Sequence, residues 1–448
     1  MTKQEFKKIA DHKILILDGA TGSNLQKRGM PTGVCPELWV TEHAEVLKEL
    51  QEEYIAAGSD IIYAPTFSGN RIKMAEYHLE DRLEEINTKL VQISREAAAG
   101  KALVAADITM TGAQLEPMGD LTFRELLDVY REQLGILSRA GVDLVVIETM
   151  MSLQETRAAV LAAKDVCPEF PLMATLSFTE SGNTLYGASA ESAVVVLQEL
   201  GVDAVGLNCS AGPDRMLSVL QRMKKVARVP LIAKPNAGLP KMNEKGETVY
   251  DMDAEAFAEH MKEIVAAGAQ IIGGCCGTSP EYIARLAKIT EQGAEISEPE
   301  TEKVYLANER QVFEFENNSE LELGAGIDFT ADGELMEEWQ DRAFDTALDT
   351  AYDLQDEEVD ALLFQAAGLP EEAEILKEAI FEVTQVVRMP VVIASGSPEA
   401  VDEVLREYSG IAAVMCLSED ETVCQEMKNT LKRYSAKPVT IDKRILCC

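Results

Sequence analysis

The chain has 448 residues, 46% of them apolar, and a formal charge of −36 at pH 7. That length predicts two or three domains with sizeable cores, and the apolar fraction excludes wholesale disorder. So acidic a surface repels phosphate backbones and anionic bilayers, and no run of 18 apolar residues offers a span, so neither nucleic acid nor membrane is expected as a partner. Nine cysteines without dense, regular spacing do not form a secreted disulfide scaffold. The amino terminus, MTKQEFKKIADHK, lacks the apolar core of an export signal and predicts a short helix. A reducing cytoplasm is the expected setting, where clustered cysteines point to metal or catalysis.

From residue 14 a strand-like run followed by a helical stretch recurs eight times: ILILDGA (14–20), DIIYAPTF (60–67), ALVAADIT (102–109), VDLVVIET (142–149), PLMATLSF (171–178), VDAVGLNC (202–209), PLIAKPNAG (230–238) and AQIIGGCC (269–276). The runs are continuously apolar, as strands buried on both faces are. Amphipathic stretches such as EHAEVLKELQEEYIAAG separate them, several ending on the glycine of a helix C-terminus. An open doubly wound sheet would gather its site at one crevice. Here Asp18, Thr66, Asp107, Glu148, Cys209, Asn236, Cys275 and Cys276 stand at the ends of many strands. Only a closed barrel brings those ends to one point, so the α/β fold predicted for 1–295 is a (β/α)8 TIM barrel.

The polar stretch GAEISEPETEK (293–303) predicts a linker, set at 296–303. A smaller acidic α/β domain is expected over 304–448, half-barrel-like or an open sheet. Residues 302–382 hold 24 Asp or Glu against 4 Lys or Arg. The runs VDALLFQAAG (359–368), MPVVIASG (389–396), GIAAVMCL (410–417) and KPVTID (437–442), with VYLANERQV (304–312), give four or five βα-type units. That is too few for a second barrel.

Cys275 and Cys276 lie in IIGGCCGTSP, framed by Gly273, Gly274 and Gly277. Neighbouring side chains of a strand point to opposite faces, so the glycines are expected to turn the chain and aim both sulfurs at one centre. Cys209 ends the sixth strand, one strand removed from the eighth. Three protein ligands with one open position is the pattern of a catalytic zinc. Cys35 and Cys167 read as ordinary thiols, and the terminal Cys447–Cys448 pair as incidental.

The segments LDGATGSNLQKRG, APTFSGNR, VIETM, GLNCS, KPNAG and GGCCGTSP resemble the homocysteine S-methyltransferases, above all the homocysteine-binding barrel of cobalamin-dependent methionine synthase. The resemblance runs through essentially all of 10–295. It implies Cys209, Cys275 and Cys276 as catalytic zinc ligands and Asn236 as a fourth-site occupant when substrate is absent. Asp18 and Glu148 would hold the substrate ammonium, and the Gly19–Ala20–Thr21 turn its carboxylate. Residues 304–442 weakly resemble half of the folate-binding barrel that follows in methionine synthase. Gln365, Ala394 and Met415 replace its pterin-reading Asn and Asp residues, so methyltetrahydrofolate is not expected to bind.

The chemistry accounts for the residue types. A free thiol is only a few per cent thiolate at neutral pH, and the thiolate is the nucleophile. Metal coordination deprotonates it, and three cysteinate ligands leave the centre negative so that the sulfur stays electron-rich. The four histidines, His12, His43, His78 and His260, avoid the strand ends, which argues against a water-activating hydrolase. The expected activity is methyl transfer to homocysteine, giving methionine. The expected donor is a methyl-corrinoid such as methylcobalamin supplied in trans by a partner protein or as free cofactor, ahead of S-methylmethionine or a betaine-like onium. The alternatives are another small thiol or selenol as acceptor, or a non-catalytic docking subunit with structural zinc.

Overall fold

A computed structural model describes residues 1–243, 248–290, 303–331, 333–440 and 445–446. Contacts divide the chain into two compact units, Met1–Ala190 with Gly201–Pro299 and Glu191–Leu200 with Glu300–Cys448. The expected linker lies outside the described residues except for Lys303, which begins a strand. Cys447 and Cys448 also lie outside them.

The eight apolar runs form eight parallel strands: β1 (Leu15–Ile16), β2 (Ile61–Ala64), β3 (Leu103–Ile108), β4 (Leu144–Met150), β5 (Leu172–Leu176), β6 (Ala204–Asn208), β7 (Leu231–Lys234) and β8 (Ala269–Ile272). Each pairs with the next from β2 to β8, and β8 pairs with β1. A parallel bridge between Leu17 and Ile61 closes the circle, so the sheet is the expected TIM barrel. Asp60 secures that seam: its N–H donates to the Ile16 carbonyl (2.7 Å), and its carboxylate takes the Ile16 N–H (3.0 Å) and pairs with Lys13 (2.6 Å).

The amino-terminal run does form a helix, Lys3–Ala10, with a Thr2–Glu5 capping box. Its buried Phe6 and Ala10 join Leu15, Ile61, Leu144, Met173, Ile232 and Ile271 in one cluster, so the helix plugs the barrel interior. The opposite strand ends stay free for chemistry. After β7 the chain makes an exposed antiparallel pair, Pro240–Met242 with Thr248–Tyr250.

The second unit is a six-stranded sheet. Ile327–Asp328, Leu362–Gln365, Val391–Ser395, Ala413–Cys416 and Lys437–Thr440 run parallel, and Ile445–Leu446 pairs antiparallel at the edge. This is the open-sheet form of the expected acidic α/β region. VYLANERQV is not a βα unit. Lys303–Ala307 and Val312–Glu316 form an antiparallel hairpin, because Asn308 accepts from the N–H groups of Arg310 (2.9 Å) and Gln311 (2.8 Å) and folds the chain back.

Candidate active site

Three sulfurs converge at the carboxyl ends of β6 and β8. The Sγ atoms of Cys209, Cys275 and Cys276 lie within 4.8 Å of one another, with Cys209 and Cys276 3.5 Å apart. Among the described residues this is the one group of three or more Cys, His, Asp or Glu side chains close enough to hold one metal ion. Cys35 and Cys167 are buried outside it.

The backbone that aims these sulfurs differs from expectation in one respect. Strand β8 ends at Ile272, so the cysteine pair already lies past the pleat. Gly273 and Gly274 serve close packing: an added Cβ would sit 2.7 Å from Leu17 Cβ and 2.4 Å from Thr278 Oγ1, respectively. The left-handed conformations belong to Gly277 (φ +84°) and to Cys209 itself (φ +54°). Cys209 is held there by its N–H donating to the Lys234 carbonyl (3.3 Å), and Cys275 by donation to the Pro235 carbonyl (2.7 Å). A non-glycine residue in that region is strained, which fits a position fixed for function. Hydrogen bonds from Cys209 and Cys275 lower the pKa of Cys276, while Cys275 is raised by its bonds to Cys209 and Cys276. The Tyr250 hydroxyl, on the exposed strand pair, also bonds Cys276.

Asn236 is buried beside the sulfurs. Its Nδ2 donates to the Cys209 carbonyl (3.3 Å), and its Oδ1 has no hydrogen-bond partner. That orphaned oxygen and the three sulfurs make a donor set suited to a thiolate-binding metal.

Asp18 and Glu148 are both buried at strand ends. Asp18 Oδ2 accepts the Tyr63 N–H (2.8 Å), and its Oδ1 is without a hydrogen-bond partner. Burial pushes its pKa up to about 6 against the opposing pull of Lys234. Glu148 is likewise raised by burial, with Lys234 again opposing. Asn208 Nδ2 holds Glu148 Oε2 (3.2 Å) and Thr149 Oγ1 (2.8 Å), while its Oδ1 accepts the Thr149 N–H (2.9 Å). These bonds pin Thr149 at φ +60°, where the register of β4 against β5 shifts.

At the end of β1, Gly19 is packed so closely that a Cβ would meet Tyr54 at 2.7 Å. The Ala20 N–H donates to Thr278 Oγ1 (3.1 Å), so within the Gly19–Ala20–Thr21 turn that donor is already engaged. Thr66 links β2 to β3, its hydroxyl donating to the Asp107 carbonyl (2.8 Å) and accepting the Asp107 N–H (3.1 Å).

Lys234, inside the KPNAG segment, joins the site without having been evident from the sequence. Its side chain is 4% exposed, with Nζ 3.6 Å from Asp18 Oδ1, 3.9 Å from Glu148 Oε2 and 4.6 Å from the Tyr63 ring centre. Burial works against its charge, but Glu148 and Asp18 prevail and raise its pKa. A lysine closing an otherwise apolar strand, two residues before a polar strand-end residue, was the available signal. Tyr250, Asn208 and Thr278 were also missed.

The strand ends of this barrel assemble a thiol triad beside buried carboxylates, a constellation suited to metal-assisted chemistry on a thiol. The homocysteine S-methyltransferase family profile matches residues 15–290, and the chain belongs to that family. It is 30% identical over 295 residues to the methionine synthase of Mycobacterium leprae (strain TN), covering 61% of this chain and 24% of that protein. It is also 30% identical over 317 residues to the methionine synthase of Mycobacterium tuberculosis (strain ATCC 25618 / H37Rv), covering 66% and 26%. The matched region thus spans about a quarter of those relatives. The fold matches the metallated form of the homocysteine methyltransferase MmuM from Escherichia coli with a TM-score of 0.53, 23% identity, and coverage of 63% of this chain and 98% of that one. No described helix is long and apolar enough to cross a membrane.

Proposed function

We propose that the barrel transfers a methyl group from an external donor to the sulfur of homocysteine, giving methionine, with zinc held by Cys209, Cys275 and Cys276. The observation that carries this reading is the convergence of three sulfurs within 4.8 Å on a barrel end that also buries Asp18 and Glu148. Tetrahedral zinc at about 2.3 Å from each sulfur needs sulfurs roughly 3.8 Å apart, which this spacing accommodates. When bound, zinc would supply the positive charge that keeps an incoming thiol deprotonated at neutral pH, with Asn236 Oδ1 as the donor that yields its place to the substrate.

The protein's own groups do the positioning. Asp18 and Glu148 take the substrate ammonium, and the Gly19 and Thr21 N–H groups take its carboxylate. With both ends of the amino acid fixed, the sulfur faces the donor methyl in one orientation, an advantage otherwise lost to rotational freedom. Asn208 and the Tyr63 N–H hold the two carboxylates in place. Similarity to methionine synthases favours methylcobalamin, free or carried by a corrinoid protein, as donor.

The test is methionine formation from homocysteine by the zinc-loaded protein with methylcobalamin, S-methylmethionine, betaine or methyltetrahydrofolate. Turnover is expected with methylcobalamin. A protein holding one zinc that makes no methionine from any of the four would overturn the reading.

A further inference from the structure

Positioning the acceptor leaves one buried cation without a task. Lys234 Nζ stands within 3.6 Å and 3.9 Å of the same two carboxylates, Asp18 and Glu148, that are assigned to the substrate ammonium. Two buried carboxylates facing each other need positive charge nearby. In a site without an internal cation, that charge must arrive with the substrate, and an acceptor lacking an amine is rejected. Here the chain brings its own ammonium. We infer that Lys234 is a specificity-determining residue, a built-in cation that satisfies Asp18 and Glu148 and thereby admits small thiol acids without an α-ammonium group as acceptors alongside homocysteine.

The surroundings fix this arrangement. Lys234 ends β7, and its carbonyl accepts the Cys209 N–H (3.3 Å), so the lysine stem is anchored to the thiol cluster. Its Nζ also lies over the Tyr63 ring, 4.6 Å from the centre, a favourable site for a desolvated cation. Each carboxylate keeps a scaffold bond, Asp18 from the Tyr63 N–H and Glu148 from Asn208. Asp18 Oδ1 nevertheless has no hydrogen-bond partner. That oxygen faces Lys234 Nζ at 3.6 Å, an ion pair longer than a hydrogen bond, so the ammonium of homocysteine can still approach it without being required. The reaction is otherwise unchanged: the thiol gives up its proton to solvent water, sulfur bonds to the methyl carbon, and the donor keeps the electron pair of the bond that breaks.

This inference rests on the acceptor reading above, and the experiment separates the two. Homocysteine and 4-mercaptobutanoate, which differ only by the amino group, are compared as acceptors with methylcobalamin in the zinc protein. Binding is followed separately through the visible spectrum of the cobalt-substituted protein. A site that depends on a substrate group discriminates by roughly 10⁴-fold against the analogue lacking it. With its own cation, the wild type is expected to favour homocysteine by less than about 100-fold in kcat/KM. Lys234→Met should widen that ratio by at least about tenfold, the scale of one nearby charge in a site of intermediate dielectric. Lys234→Gln provides the same comparison should the Met variant not fold. A purely structural lysine would lower both acceptors alike. If homocysteine is methylated but the ratio is the same in wild type and variants, or already near 10⁴ in wild type, the inference is overturned and the acceptor reading stands. If neither thiol perturbs the cobalt spectrum or is methylated, the acceptor reading itself fails.

Discussion

Both units of the chain place polar side chains at the carboxyl ends of parallel strands, but they complete them differently. In the second unit's sheet, Gln365 Nε2 donates to Asp328 Oδ2 (3.1 Å), Asp328 Oδ1 accepts from the Thr330 hydroxyl (2.6 Å), and Ser395 donates to Glu372 (2.5 Å). These groups answer one another locally. At the barrel end, Asp18 Oδ1, Asp107 Oδ1, Asn236 Oδ1 and the Tyr63 hydroxyl are buried with no hydrogen-bond partner. The Asp18 oxygen is offset by its ion pair with Lys234; for the other three, leaving a buried polar group unpaired costs about 1–3 kcal/mol, which marks this end as shaped for a ligand. Parallel strands thus carry two kinds of carboxyl end in this chain, one whose polar groups bond one another and one that keeps buried polar atoms without hydrogen bonds.

That contrast can be broken at its strongest point. Cys275→Ala removes the most buried of the three sulfurs, and we expect zinc content to fall below about a tenth of an equivalent and turnover to fall at least ~10³-fold. Metal analysis beside a methionine assay decides it, and retained zinc with retained turnover would remove the thiol cluster from the mechanism. A smaller loss is expected at Glu148→Gln. Removing one charged partner of the ammonium should raise KM for homocysteine by roughly 10–100-fold with little change in kcat, since the contact is uniform between ground and transition states. A fall in kcat at unchanged KM would place Glu148 elsewhere in the reaction.

The pH profile sharpens the barrel side further. Burial raises the Asp18 carboxyl to about 6, so the group is neutral below that value and charged above it. Homocysteine loses an anionic partner as pH falls through about 6, and kcat/KM should decline on the acid side by up to about tenfold per unit. In Asp18→Asn that limb is expected to disappear. The smallest effect belongs to the second unit's end: Ser395→Ala should cost about 1 kcal/mol of stability through its lost bond to Glu372, yet leave homocysteine turnover within about twofold. A large loss of turnover there would erase the contrast between the two ends.

The barrel was legible in the sequence because eight doubly buried strands leave eight continuous apolar runs, and Ile61–Ala64 or Ala204–Asn208 need no tertiary information to be seen. The cysteines were legible because a vicinal pair between glycines is rare in an ordinary core. Lys234 was not, since a lysine at a strand end normally reaches water. Its burial follows from carboxylates delivered by β1 and β4, distant segments whose approach no local pattern encodes. Tyr250 was hidden for a related reason. The strand pair that carries it is exposed and short, and only the fold brings its hydroxyl to Cys276. In the second unit the turn chemistry of Asn308 outweighed an apolar run that read as a strand of the main sheet.

Thr278 has a consequence of its own. Its hydroxyl donates to the Cys275 carbonyl (2.7 Å) and accepts the Ala20 N–H (3.1 Å), while its carbonyl takes Asn24 Nδ2 (2.8 Å). The Gly274 N–H adds a bond to the Asp18 carbonyl (3.1 Å). The thiol end and the amino-acid end of the proposed site are thus riveted to each other through one short stretch of backbone, and their separation cannot stretch or shrink independently. Under the proposed function such a site would act as a ruler for the methylene groups between sulfur and the α-carbon, and an acceptor one carbon shorter than homocysteine would reach one anchor only by letting go of the other.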